Sequence, residues 1–330
     1  MIPGEWKGTW SIYQDRQFGD YYAQISGRVL ISLEGLLMYV ARKPLLGFTT
    51  AYLFSPEASA SFSAATYDRL RGFLRSNGIA RMVVHTNMPL LSFSHRPTLG
   101  GTFVIDLRRA EQELYNLMQG RSRTAVRKAQ KLGLQAARVT HEQELRQWYQ
   151  MYATTAKQRQ FAYLTYAQVR GLWDSPWGAL FAAYQDQTLV AGAFLLLGLY
   201  PVYLLGATHP AYRNLSPNNF LQWEVILWAK AQRYLRYDLG GASDDPKHGP
   251  TRFKASLGGT FHRSFSYLIE GNRLRYAALK AAEACSRRLP LVTFLGLLEP
   301  SATSLRTRTL GEISSAEPSD MPWTTSNRGP

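Results

Sequence analysis

Tyr237-Asp238-Leu239-Gly240-Gly241 reads as a short strand that ends on a carboxylate and two glycines. A polar loop then leads to Arg252-Phe253-Lys254 and to Gly258-Gly259. Glycines permit close backbone approach, so this arrangement delivers one lysine on a glycine-closed loop beside a strand end. Further upstream, Gly120-Arg121-Ser122-Arg123-Thr124-Ala125-Val126-Arg127-Lys128-Ala129-Gln130-Lys131-Leu132-Gly133 is a basic helical run, and no acid occurs between Leu114 and Thr140. Together the two stretches describe a protein that grips polyanions and works on a small acceptor between them.

The bulk numbers agree. At 330 residues the chain is long enough for two domains, and 45% apolar with 13% aromatic residues is the composition of a folded protein. Its formal net charge is +15, from 38 Lys and Arg against 23 Asp and Glu. The last thirty residues hold three arginines and three acids, so the excess falls on residues 1–300. A basic folded body faces nucleic acid, a nucleotide or an anionic membrane surface; a merely soluble basic surface accounts for the charge equally well.

A single cysteine, Cys285, excludes an intramolecular disulfide framework, and six histidines without metal-ligand spacing give no structural zinc site. No metal is expected. The N-terminus lacks a basic stretch followed by an apolar core, so the protein is read as cytoplasmic. Residues 189–207 carry no charge, but Tyr200-Pro201 divides them into two β-rich halves of strand length. No transmembrane segment is expected.

Working outward, Arg28-Val29-Leu30-Ile31-Ser32-Leu33, Glu34-Gly35 and Leu36-Leu37-Met38-Tyr39-Val40-Ala41 read as a hairpin. A helix follows at 65–76, then strands at 81–85 and 101–107, then one long helix over 110–131 with Gly133 as its C-cap. The second half repeats the order: helices at 141–158 and 166–174, a hairpin from 179–184 and 189–197, a strand at 202–207, a helix from 218 to 234 and a strand at 236–239. A strand at 261–269 and a helix at 273–288 close it. Two copies of one α/β unit are expected, with a flexible Pro-, Ser- and Thr-rich tail at 290–330.

Four groups of residues are candidates for chemistry. Arg123, Arg127 and Lys131, flanked by Arg121 and Lys128, offer cations for phosphate or tRNA, against the plainer reading of a solvated helix end. The segment from Gly206 to Asn219 runs from a strand into a helix; Arg213, Asn218 and Asn219 stand where free backbone N–H groups bind anions, or cap an ordinary connection. Arg159 and Tyr163 end an amphipathic helix and suit an acceptor's carboxylate or phosphate. Lys254, anchored by Phe253, suits stabilisation of an oxyanion, and Asp238 is either a catalytic carboxylate or a holder of the next loop's backbone.

These segments together resemble the Fem family of peptidoglycan-bridge aminoacyltransferases (FemA, FemB, FemX). The resemblance is carried by Thr102-Phe103-Val104-Ile105-Asp106-Leu107, Glu113-Leu114, Arg123-Thr124-Ala125-Val126-Arg127-Lys128-Ala129 with Gly133, and Thr155 to Arg159. It continues through Tyr203-Leu204-Leu205-Gly206-Ala207, Gln222-Trp223-Glu224, Tyr237-Asp238-Leu239-Gly240-Gly241, Phe253-Lys254 and Gly258-Gly259, in order over about residues 100–270. Tyr39-Val40-Ala41-Arg42-Lys43-Pro44 looks like a weaker form of the family's early Tyr-x-Pro-Arg-Gly-Pro signature, with Ala41 for the first proline and Lys43 for the glycine.

The resemblance implies an α/β (α+β) fold of two tandem GNAT-like (acyl-CoA N-acyltransferase) domains with mixed central sheets: residues 1–133, then 134–289, then the tail. It implies transfer of an amino acid of the Gly, Ala or Ser type from aminoacyl-tRNA to the stem-peptide amine of a peptidoglycan precursor, lipid II or UDP-MurNAc-pentapeptide. That is work in cell-wall biogenesis and cell shape, with aminoacyl-tRNA as co-substrate, no cofactor, and peripheral contact with the inner membrane face. Lys254 would meet the donor or its oxyanion, and Arg159, Tyr163 and Tyr203 would line the cleft. The chief alternative is an acyl-CoA-dependent N-acyltransferase of the same fold acting on a cell-envelope or other small amine. An RNA-binding module without chemistry is a third, against which Lys254 on its glycine-bounded loop speaks.

Overall fold

The computed structural model describes residues 11–42, 47–55, 62–90, 97–159, 161 and 163–288. The expected tail and the Lys43-Pro44 part of the early signature lie outside them, as does the side chain of Cys285. The described residues fall in one compact unit.

In chain order the elements are α1 (Arg16–Ser26), β1 (Val29–Leu33), β2 (Leu36–Arg42), β3 (Thr49–Phe54), α2 (Ala64–Ser76), β4 (Arg81–Thr86), β5 (Thr98–Asp106), α3 (Glu111–Leu117) and α4 (Gly120–Lys131). There follow β6 (Gln135–Arg138), α5 (Glu142–Arg159), α6 (Tyr166–Asp174), β7 (Gly178–Gln185), β8 (Thr188–Leu197), β9 (Pro201–Thr208), α7 (Pro217–Ala231), β10 (Arg236–Ser243), α8 (Gly249–Ala255), β11 (Thr260–Glu270) and α9 (Arg273–Arg288). A 3-10 turn, Pro210–Leu215, joins β9 to α7.

The strands form a single sheet in the order β1-β2-β3-β4-β11-β5-β10-β9-β8-β7-β6. The expected repeat is present in its topology. On one side β2 and β3 are antiparallel and β3 crosses through α2 to a parallel β4; on the other β8 and β9 are antiparallel and β9 crosses through α7 to β10. In the middle the two chain halves trade strands. β5, from the first, pairs with β10; β11, from the second, pairs with β4; and β5 and β11 pair with each other along seven residues, from Thr260↔Val104 to Ser266↔Thr98. The sheet therefore has no break corresponding to residue 133. α4, placed by sequence in the first half, packs against α7 of the second, with Val126 and Ala129 in the core beneath it.

Alternation along the strands explains the apolar runs. In β7, Ala179, Phe181 and Ala183 face the core under α3, α4 and α7, whereas Leu180 and Ala182 face the core under α1, α5 and α6. A strand covered on both faces carries apolar residues at every position, which is why residues 189–207 imitate a membrane segment. Among the described residues no helix is long and apolar enough to cross a membrane. A third core, with Leu70 and Leu74 of α2, Met82 and Val84 of β4 and Ile269 of β11, fills the other end.

Before the first hairpin the chain forms a helix, α1, capped by Asp15 through the Phe18 N–H and closed by Gly27. Two local expectations are revised. The expected long helix over 110–131 is two: Met118 and Gln119 are extended, Met118 is buried, and the Gln119 N–H is donated to the Ser256 carbonyl at 3.0 Å. Lys254 stands on the short helix α8 rather than on a loop.

Gly192 of β8 lies against the Trp148 indole of α5, and a Cβ there would come within 2.2 Å of the ring. Gly192→Ala overpacks this contact, with an expected loss of about 1–3 kcal/mol. Chemical denaturation of the two proteins measures it.

Candidate active site

The two crossovers differ at one decisive point. β3 and β4 pair over five residues, from Thr50↔Arg81 to Phe54↔His85, and the Phe54 and His85 rings stack at 5.3 Å where that pair ends. β9 and β10 share one parallel pair, Val202↔Asp238. Beyond it β9 stays with β8 as far as Thr208↔Ala191, and β10 stays with β5 through Gly241↔Thr102 to Ser243↔Gly100. The strands part because each keeps its outer partner. The first crossover is closed and the second is open.

A cavity of about 590 Å³ lies at this opening. Its walls are the end of α5 (Thr155, Arg159), Phe161, the inner edge of β9 from Tyr203 to Thr208, Arg213, the start of α7 (Ser216 to Asn219) and α8 (Gly249, Pro250, Phe253, Lys254). A second hollow of about 360 Å³ shares Ser216, Asn219, Gly249 and Phe253 with it and adds Arg121, Ser122, Arg252 and Ser256. Among the described residues no carboxylate lines either one. Arg159, Arg213 and Lys254 around the first and Arg121 and Arg252 around the second suit both hollows to negative charge.

Of the residues expected from sequence, Arg159, Tyr203, Arg213, Asn218, Asn219, Phe253 and Lys254 share this cavity. Tyr163 is not in its lining and packs edge-on against Tyr152. The basic face of α4 is divided. Arg123 donates to the carbonyls of Asn116 and Met118, closing the end of α3, and Lys128 donates to the Asn214 carbonyl at 2.9 Å. Arg121 reaches the Arg252 carbonyl at 3.0 Å and lines the second hollow, while Arg127 and Lys131 are exposed. Asp238 is fully buried and outside the lining; its carboxylate accepts the Gly240 N–H at 2.8 Å and the Thr102 hydroxyl. In this position it holds the backbone of the next residues.

Lys254 and Tyr203 meet at one end of the cavity. The Lys254 Nζ donates to the Gly241 carbonyl at 2.7 Å and lies 5.6 Å from the centre of the Tyr203 ring. Burial lowers its pKa to about 8, with Asp238 acting in the opposite direction. Burial also raises the Tyr203 hydroxyl to about 12, so it is a neutral donor at physiological pH. Gly206 makes room for this ring, since a Cβ there would meet its hydroxyl. Gly240 is left-handed (φ 71°), and a Cβ on it would come within 2.2 Å of the Tyr203 carbonyl, so glycine alone fits where β9 and β10 meet.

A buried polar chain fixes the other wall. Asn219 Nδ2 donates to Ser122 Oγ at 3.1 Å, and Ser122 Oγ donates to Ser256 Oγ at 2.7 Å, tying α7, α4 and α8 together. The sequence reading gave no role to Ser122, Ser256, Arg252 or Thr102. Arg252 was signalled by its place beside Phe253-Lys254 and Thr102 by the apolar strand motif it opens; nothing separates the two serines from surface serines in the sequence. Among the described residues no cluster of His, Cys, Asp and Glu suits a metal ion.

Residues 118–255 match the family model of the acetyltransferase (GNAT) domain, and they contain both α4 and the whole cavity end of the sheet. No curated protein matches the chain. Among solved structures, the chain is similar to FemX, with 14% identity, a TM-score of 0.56, and coverage of 79% of this chain and 92% of that one. It is also similar to the C-terminal domain of a lysylphosphatidylglycerol synthetase candidate from Agrobacterium fabrum (12% identity, TM-score 0.55, 80% and 90% covered). L-PGS from Bacillus licheniformis is a third (10% identity, TM-score 0.55, 84% and 97% covered). The chain thus carries an acyltransferase domain, and its architecture is the mixed α/β, tandem GNAT-like one expected from the sequence.

Gly240→Ala forces a left-handed alanine against the Tyr203 carbonyl. The expected cost is about 1–3 kcal/mol, seen as a melting temperature lower by several degrees. A melt unchanged from wild type would mean that the β9–β10 junction is loose.

Proposed function

We propose that the protein is an aminoacyltransferase that moves an amino acid from aminoacyl-tRNA to the stem-peptide amine of a peptidoglycan precursor. The observation that carries this reading is the cavity at the strand opening, with Lys254 and Tyr203 at one end, Arg159 and Arg213 in its walls, and Arg121 and Arg252 in the adjoining hollow. Both substrates of such a reaction carry phosphates. The fold likeness to FemX, to the lysylphosphatidylglycerol synthetase candidate and to L-PGS agrees with an aminoacyl donor.

In this reading the donor's terminal nucleotide lies toward the start of α7 and the second hollow, and its ester reaches between β9 and β10. The acceptor amine, entering uncharged past Arg159, attacks the ester carbonyl carbon. Negative charge then develops on the carbonyl oxygen, where the Lys254 ammonium and the Tyr203 hydroxyl offer donors. Collapse expels the ribose hydroxyl, which takes up the proton that the new amide nitrogen gives up. The lysine never becomes covalently attached.

A second reading, an acyl-CoA-dependent N-acyltransferase, draws on the GNAT domain match and on the start of α7, where a donor's pyrophosphate would find Asn218 and Arg213. One experiment separates them: a mixed pool of charged, radiolabelled tRNA is offered with UDP-MurNAc-pentapeptide or lipid II, and acetyl-CoA in a parallel reaction. Label on the precursor from tRNA is the expected result. Acetyl transfer alone would establish the second reading.

Lys254→Met is expected to lower turnover by about 10²–10³-fold while the melting curve stays near wild type. Wild-type turnover in that variant would remove Lys254 from the reaction. Because the protonated amine is the useful form and its pKa is about 8, the ratio of wild-type to Lys254→Met turnover, in which the acceptor's own titration cancels, should fall as pH rises through that value. Replacing Arg121 and Arg252 together by glutamine should weaken donor binding and flatten its salt dependence, by roughly one unit of slope for each phosphate left without its arginine. Binding titrations at several salt concentrations measure this.

A further inference from the structure

The carboxylate of Asp238 is fully buried, and nothing in the reaction above uses it. Burying a carboxylate is costly unless its charge is compensated and hydrogen-bonded. Holding the Gly240 N–H, at 2.8 Å, does not require a charge, because an asparagine oxygen accepts the same bond. The partners of Asp238 show where the charge acts. The Thr102 hydroxyl, on β5, lies between the Asp238 carboxylate and the Gly240 carbonyl, 2.9 Å from the latter. Gly240 is the left-handed residue of a register shift between Asp238 and Gly241. That shift aims the Gly241 carbonyl at Lys254 Nζ, which donates to it at 2.7 Å. An unbroken line therefore runs from β5 through Asp238 and the Gly240-Gly241 bulge to the lysine.

We propose that Asp238, clamped by Thr102, is the positioning residue for Lys254: it sets the Gly240-Gly241 bulge that orients the amine, and its charge supports the ammonium form. The inference rests on the reading of Lys254 as the group that meets the oxyanion. Tyr203 of β9 lies against the amine, Arg159 of α5 and Arg213 of the 3-10 turn share its cavity, and Arg252 and the N-cap His248 belong to its own helix. His262 of β11 feels both Asp238 and Arg236 of β10, and burial lowers its pKa, so it is neutral in the alkaline range. Asp238 is the charge that opposes the effect of burial on Lys254. Its clamp comes from the first half of the chain, so the half whose own crossover is closed still governs the reactive lysine of the other.

The test reads Lys254 directly and needs no substrate. Trace labelling with acetic anhydride across the alkaline range, with mass spectrometry of the Lys254 peptide, gives the midpoint at which the amine becomes reactive. In the wild type it is expected near 8. In Asp238→Asn, which keeps the Gly240 contact and loses the charge, the midpoint should move to lower pH, so that labelling near neutrality is several-fold faster. Thr102→Val should move it in the same direction, and Thr102→Ser should restore it. A folded Asp238→Asn protein with the wild-type midpoint overturns the proposal; if that variant does not fold, a folded Thr102→Val protein with the wild-type midpoint does so. A shifted midpoint without transfer from any donor would sustain the coupling and remove the proposed reaction. Transfer with an unmoved midpoint would do the reverse.

Discussion

The exchange of β5 and β11 at the centre of the sheet is the constraint on which the rest of this structure depends. Each chain half lends a strand to the other, and the two strands lie side by side, so neither half can complete its sheet alone. The exchange has a direct consequence for the open crossover. β10 would otherwise follow β9, its parallel neighbour; the ladder to β5 holds it away, and β8 holds β9 on the other side. The gap between them is maintained by hydrogen bonds made elsewhere. The first crossover has no such competition, and β3 and β4 run paired to their ends.

Around the gap, electrostatics and packing act together. The carbonyls at the end of α3 take up Arg123, and the loop before α7 takes up Lys128, so part of the positive run on α4 serves local structure. The other cations of that run face the second hollow or solvent. Among the described residues no acid enters either lining, and burial beside Tyr203 and Phe253 depresses the Lys254 amine while Asp238 behind it acts the other way. A lysine in that state is a sensitive element, since modest changes in nearby charge alter its protonation near physiological pH.

Much of this was legible in the residues. Hairpin turns, the α2 and α7 crossovers and the division of residues 189–207 into two strands follow from periodicity and from turn residues. Of the residues singled out from the motifs and from the strand-to-helix segment, Arg159, Tyr203, Arg213, Asn218, Asn219, Phe253 and Lys254 line one cavity. The misreadings have physical causes. Met118 and Gln119 have ordinary helix-forming side chains, and what breaks the helix there is burial of Met118 and the bond from Gln119 to Ser256, more than a hundred residues away. Tyr163 lies beyond the end of α5, where helical spacing no longer predicts direction. For Asp238 the residues leave two roles open, because a strand end before Gly-Gly suits a catalytic carboxylate as well as one that holds backbone.

The sequence by itself determined the kinds of element, the repeated α/β unit, the basic character of the protein and the identity of the residues around Lys254. Those properties are local, set by side-chain volume, charge and backbone freedom over a few residues. Only the tertiary structure decided which crossover opens, which cations face the cavity and what the buried carboxylate holds. These depend on pairing between strands far apart in the chain, where the choice of neighbour is made by the whole sheet and leaves no trace in any one segment.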